Sequence, residues 1–327
     1  MRESHRADRG PKRSGRHSPA IVMVGLRLAV AVSSVGVLSS VGAGRELTVV
    51  QDWRSYPSVT AGTDSGLDWA SFYEETTART DAVRRALPHV LDVAYGPLPK
   101  QRLDVYRPFA SATNRPAFVF LHGGGFREGD RRHYGFIAEP LAARGVVTVV
   151  PSYRLGPAYT YPAQPDDVKA AIEWTYRHAV DYGIDRSRIF VGGHSAGAVL
   201  AAFVSVEREW LTARRLPRDL IKGCAAVSGP YDLRVQIRDH YVADPRERED
   251  ASPLARIEGR PPSMILAVGS PERDYLAVTE AFAAALRDHQ GDVTSLVLEG
   301  LTHDNTARAF ADPSGRLFQA IVKMIGS

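Results

Sequence analysis

The chain has one cysteine in 327 residues, Cys224. That excludes an intramolecular disulfide, and its place in KGCAAVSG suits a small buried hydrophobe. No Cys/His cluster has metal-ligand spacing. The glycine-rich stretch HGGGF at 122–126 lacks the G-x-G-x-x-G order of a dinucleotide site. Neither a metal nor an organic cofactor is therefore expected. The main body shows no internal repeat and no low-complexity linker. It also lacks a basic surplus: seven Lys and Arg fall in residues 1–43 against Glu3 and Asp8, while the whole chain carries a formal charge of +4. The remainder is slightly negative, so no basic stripe awaits a polyanion and no nucleic-acid partner is expected.

The N-terminus has its own signal. A basic stretch precedes LAVAVSSVGVL at 28–38, followed by Ser39, Ser40 and VGA. This apolar run is short and rich in Ser and Gly for a membrane span. Small residues at Val41 and Ala43 suit cleavage after Ala43, so residues 1–43 read as a secretory signal or a retained N-terminal anchor. Met23 is an alternative start and would open the compact MVGLRLAVAV. The expected location is secreted or periplasmic, with membrane association only through this segment. A mis-assigned start would make the protein cytoplasmic.

The 44% apolar and 24% charged content is that of a soluble globular protein. The length suits one large α/β domain or two modest ones. Residues 44–95 carry Trp53, Trp69, Phe72 and Tyr73 in a mixed helical pattern and read as an N-terminal cap-like segment. Residues 96–327 form the main domain. There, short apolar runs alternate with helical patterns. Strands are expected in 117–125, 145–155, 188–193, 222–229, 263–269 and 293–300. Helices are expected over 136–145, 164–180, 195–210, 276–290 and 315–326. This alternation predicts an α/β fold, a mainly parallel sheet with helices on both faces, whose strand C-termini share one edge. The charged residues 234–259 either overhang that edge or form a solvated loop.

Three features at strand ends carry chemistry. Gly193-His194-Ser195-Ala196-Gly197 fits G-x-S-x-G, with a strand before it and a helix after, a turn that exposes a strained serine. His122-Gly123-Gly124-Gly125-Phe126 follows the strand FVFL. Its serial glycines free backbone N–H groups of Gly124 and Gly125 to join that of Ala196 around an oxyanion. His122 is expected to orient the loop and not to transfer protons. A serine nucleophile needs a base and an orienting carboxylate, here expected on loops after later strands, acid before histidine. SPERDY after the 263–269 strand offers Glu272, with Asp274 as the alternative acid. LTHDNT offers His303, alone among the ten histidines in following a strand beyond the acid loop.

The segments YGPLPKQRLDVYRP, LHGGGF, PSYRLGP, GGHSAGAVLAA, SGPYDL and LTHDN together resemble the α/β-hydrolase fold carboxylesterases and lipases, close to the arylformamidase branch. The likeness covers about residues 93–325. It implies catalytic Ser195, Glu272 (or Asp274) and His303, with Gly124, Gly125 and Ala196 as the oxyanion hole. The family's acid is most often Asp, so Glu272 departs from its pattern. The resemblance further implies hydrolysis of a small-molecule carboxylic ester through an acyl-enzyme, without a cofactor. The rival substrate is an N-formyl aryl amide such as N-formylkynurenine. An export signal favours the ester. A non-catalytic binding protein of this fold would be expected to lose the serine or the histidine, and both are kept.

Overall fold

In the computed structural model, which describes residues 69–109 and 113–326, one eight-stranded sheet organises the chain. The readings of residues 1–43 and 44–68 lie outside the described residues. The strands are β1 (His89–Ala94), β2 (Arg102–Tyr106), β3 (Arg115–Leu121), β4 (Val147–Pro151), β5 (Ile184–His194), β6 (Ile221–Val227), β7 (Ser263–Gly269) and β8 (Val293–Leu298). Their order across the sheet is β1-β2-β4-β3-β5-β6-β7-β8. The β1–β2 and β2–β4 pairs are antiparallel and every later pair is parallel.

The central strands are continuous apolar runs because both of their faces are covered. The two-residue period of a strand divides β3 cleanly. Ala117, Val119 and Leu121 face one core, while Phe118 and Phe120 face the other. The first core is closed by α3 (Ala163–Arg177), α4 (Ala196–Val206) and α6 (Arg273–Asp288), through Val168 and Ile172, Val199 and Phe203, and Val278 and Phe282. The second is closed by α1 (Trp69–Ala86), α2 (Ala138–Ala142) and α8 (Arg316–Gly326), through Phe72 and Val83, Leu141, and Phe318 and Ile321. Between α4 and β6 lies a short α5 (Glu209–Ala213), and after β8 comes α7 (His303–Arg308). Cys224 is fully buried in β6, and burial pushes its thiol up to about 12.

The expected boundary between residues 95 and 96 falls inside a structural unit. β1 pairs with β2 across it, so residues 89–94 are the edge strand of the same sheet. The helix before them is tied in by charge as well as packing. Buried Asp104 on β2 accepts Arg131 Nε at 2.9 Å and Arg84 Nη2 of α1 at 3.2 Å.

The connection from β6 to β7 is not a solvated loop. Val235, Gln236, Tyr241 and Val242 are buried in it. Tyr241 stacks flat on Phe126, with centroids 3.8 Å apart. The segment therefore overhangs the strand C-termini and covers the glycine loop after β3.

Candidate active site

Ser195 sits between the last residue of β5 and the first of α4, at φ 57° and ψ −119°. A positive φ costs a non-glycine residue about 1–3 kcal/mol, so neighbours must hold it. Its N–H donates to Val227 O at 2.8 Å, which carries the β5–β6 pairing through the turn. The flanking glycines serve close approach. A Cβ on Gly197 would lie 2.1 Å from Leu121 O and 2.5 Å from His122 O, and one on Gly193 would lie 2.4 Å from Gly197 O. Only bare backbone lets the turn press against the end of β3.

His303 opens α7, with Thr302 as its N-cap. Its Nε2 lies 2.9 Å from Ser195 Oγ and its Nδ1 lies 2.5 Å from Glu272 Oε1. Glu272 caps α6, and its other oxygen accepts Gly269 N–H and Ser228 Oγ–H, each at 2.6 Å. The carboxylate is thus held from both sides, and it fixes the imidazole with its proton on Nδ1 and its lone pair toward the serine. Asp274 is not brought to the histidine. It is exposed in the first turn of α6, where its backbone carbonyl accepts Gln236 Nε2 at 3.2 Å.

The His303 ring is enclosed by aromatic neighbours. Tyr275 stacks on it at 5.3 Å, and Trp69 of α1 meets it edge-on at 6.3 Å. Arg308 of α7 donates to Glu75 of α1, so the helix in the expected cap-like segment flanks His303 directly.

Two further histidines frame the site. His194 is fully buried, and its Nε2–H donates to the backbone carbonyl of His303 at 2.8 Å. Burial holds its pKa well below the usual histidine value, with His303 adding to the shift. It is a neutral strut between the Ser195 turn and the His303 helix. His122 is likewise fully buried and donates from Nδ1 to Gly123 O at 2.8 Å. It stacks on Tyr153 at 4.2 Å, and burial lowers its pKa to about 4.

The glycine loop lies against the serine. A Cβ on Gly123 would come within 3.3 Å of Ser195 Cβ. Gly124 and Gly125 adopt φ of +116° and +58°, and the Cβ position of Gly125 opens on empty space. Among the described residues, the N–H groups of Gly124, Gly125 and Ala196 are committed to no backbone acceptor. Ala196 also opens a helix, where free N–H groups and the helix dipole favour negative charge.

His194, Ser228, Tyr275 and Trp69 are the neighbours that sequence reasoning did not find. His194 stood inside the motif and Ser228 directly after a strand, in the left-handed conformation at φ 55°. One acidic group of the described residues, Glu207, Glu209 and Glu258, has metal-like spacing. Glu207 already pairs with Lys169 at 2.8 Å and Glu258 accepts Arg208 N–H at 2.8 Å, so two of the three carboxylates are internally engaged.

Comparison with known proteins agrees with this architecture. The family profile BD-FAE matches residues 103–215. Kynurenine formamidase of Salmo salar is 29% identical over 264 residues, which cover 76% of this chain and 85% of that protein. Esterase LipC of Mycobacterium tuberculosis is 30% identical over 272 residues, 73% of this chain and 66% of that one. Among solved structures, an esterase from Pyrobaculum calidifontis has the same fold, with a TM-score of 0.61 and 22% identity, over 80% of this chain and 93% of its own. From its sheet, its strand-end turns and these relatives, the chain belongs to the α/β-hydrolase carboxylesterase family, close to the formamidase branch.

Proposed function

We propose that this protein is a serine carboxylesterase acting on small esters through an acyl-enzyme. The observation that carries the reading is the unbroken relay from Glu272 through both nitrogens of His303 to Ser195 Oγ. In that relay the Ser195 hydroxyl donates to Nε2. As Oγ bonds to the substrate carbonyl carbon, its proton passes to Nε2 and the carbonyl electron pair moves onto oxygen. The imidazolium that forms is stabilised by Glu272. Gly124, Gly125 and Ala196 supply N–H groups for the oxyanion, and losing one such donor typically costs about 10²–10³ in rate. Collapse of the tetrahedral intermediate breaks the bond to the leaving oxygen, which takes the proton from Nε2. Water then repeats the sequence and releases the acid.

A second substrate reading has its own support. The salmon formamidase is matched over most of its length. The same groups would attack an N-formyl carbonyl and protonate an aryl nitrogen in place of an alcohol oxygen. Hydrolysis of short p-nitrophenyl esters and of N-formylkynurenine, by wild type and by Ser195→Ala, tests both readings. Ser195→Ala is expected to abolish turnover, and ester hydrolysis that persists in it overturns the mechanism.

A further inference from the structure

The overhanging connection between β6 and β7 is rich in arginine, and most of that charge is answered locally. Arg234 pairs with Asp232, Arg246 with Asp244, Arg248 with Asp239 and Arg256 with Asp250. Arg238 differs. Among the described residues no carboxylate lies within ion-pair distance of it, although its side chain is partly buried. Adjacent Asp239 is held by Arg248, and exposed Asp274 makes no ion pair with Arg238.

Its position is fixed by two hydrogen bonds of its own and one made by a neighbour in the same segment. Nη2 donates to Tyr275 Oη at 3.3 Å, and the Tyr275 ring is the one stacked on His303. Nη1 donates to Ile237 O at 2.9 Å. Two residues further on, His240 Nε2–H donates to Gly125 O in the glycine loop. The guanidinium therefore touches the ring that packs on His303, and its own segment reaches the glycine loop through His240. Its two bonds orient the planar fork and leave most of its five donors unused. Exposed Arg127, just after Phe126, adds a second cation. The pKa of His240 is lowered by burial, and Arg127 and Arg238 lower it further. Arg127 and Arg238 thus bring positive charge close to His240 beside the glycine loop, with exposed Glu128 next to Arg127 and Asp239 next to Arg238.

We propose that Arg238 recognises a carboxylate on the substrate, so that the preferred esters or amides are those carrying an anionic group near the scissile carbonyl. This rests on the serine-hydrolase reading above. A carboxylate meets the fork of an arginine with two parallel N–H···O bonds, which gives orientation as well as attraction. A neutral ester leaves the partly desolvated cation without its partner.

The test compares matched pairs of esters. For a charge on the acyl side, the pair is mono-p-nitrophenyl glutarate and p-nitrophenyl pentanoate. For a charge on the leaving group, the pair is meta-acetoxybenzoate and meta-acetoxybenzamide. The readout is the ratio of kcat/KM for the anionic member to that for the neutral one. Wild type is expected to favour the anion in at least one pair by about tenfold or more, the scale of one charge-assisted hydrogen bond. The ratio should fall as salt is raised. Arg238→Gln should bring the ratio close to unity, while Arg238→Lys should keep part of it. The pair that responds identifies the side of the ester that carries the charge. Equal use of both members by wild type, or an unchanged ratio in Arg238→Gln, overturns the assignment while leaving the serine mechanism standing. Wild type that hydrolyses none of the four esters overturns the serine-esterase reading, and this assignment with it.

Discussion

Replacing Glu272 by Gln removes a charge while preserving the outline of the side chain, and the surroundings dictate how the new amide must lie. The Oε2 position receives two donors, Gly269 N–H and Ser228 Oγ–H, both at 2.6 Å. An NH₂ group there would leave donors facing donors in a buried site, at about 1–3 kcal/mol for each unsatisfied group. The amide oxygen therefore takes that side, and the NH₂ turns toward His303 Nδ1. A nitrogen that faces a donor must accept, so the imidazole proton moves to Nε2, opposite Ser195 Oγ. The base has then lost its lone pair toward the nucleophile. A wrong tautomer held in intact geometry costs about 10⁴ in kcat, or about 5.5 kcal/mol of barrier. Release of p-nitrophenol from a short ester measures the rate, and the urea midpoint measures stability. We expect kcat to collapse while the midpoint moves little, because both hydrogen bonds to the cage survive. Asp274→Asn is the control and should stay within about threefold of wild type, since that side chain is exposed. The reasoning fails if Glu272→Gln retains a rate within about tenfold of wild type, or if Asp274→Asn is the variant that collapses.

Two other expectations concern stability. Gly197→Ala should destabilise by about 2 kcal/mol or more, because its Cβ meets the backbone oxygens of Leu121 and His122, which cannot swing aside. An unchanged urea midpoint would show that the turn has slack. Acid should weaken the fold before the carboxylates titrate. His122 is held near pKa 4 against an ordinary 6.5, so below 6.5 the unfolded chain takes a proton that the folded chain refuses. Stability from this group is complete above pH 6.5 and falls by about 3 kcal/mol as pH drops toward 4. His194 is depressed in the same direction and adds to the loss. Midpoints that stay flat from neutral pH down through that window would contradict the assignment.

The parallel strands were legible because burial on both faces writes them as uninterrupted apolar runs. β7 matches the expected 263–269 residue for residue. The Ser195 turn and the glycine loop were legible for a related reason: glycine before or beside a special residue at a strand end marks backbone that must come close. The edge strand β1 was not legible. Its residues are mostly exposed and its register breaks at Asp92, which adopts φ 60°, so no alternation survives. Helix α7 was read as a loop because six residues, five of them polar, cannot show a 3.6-residue period. Thr302 before it and Asp304 in its first turn were the available cues. The predicted helix over 195–210 stops at Val206, and extended Glu207 turns inward to pair with Lys169. The expected helix over 136–145 is shortened to α2, with a 3₁₀ turn over Gly135–Ile137 ahead of it. The sequence favoured Glu272 but left Asp274 open, since the choice depends on which side chain Gly269 and Ser228 can cage. Arg238 was invisible for a similar reason: its missing counter-ion is a property of the folded neighbourhood.

The order of the parallel strands has a bearing on how the site comes into being. From β3 outward on one side the sheet runs β5, β6, β7, β8, which is also the order in which those strands leave the ribosome. Each arrives beside a neighbour already in place, so this half can grow by accretion without rethreading. In the proposed mechanism the nucleophile belongs to the centre, while its acid follows β7 and its base follows β8. A nascent chain halted after β6 thus presents Ser195 with nothing to activate it. On that mechanism, competence arrives only with the outermost strand, and turnover would report that the last part of the sheet has docked.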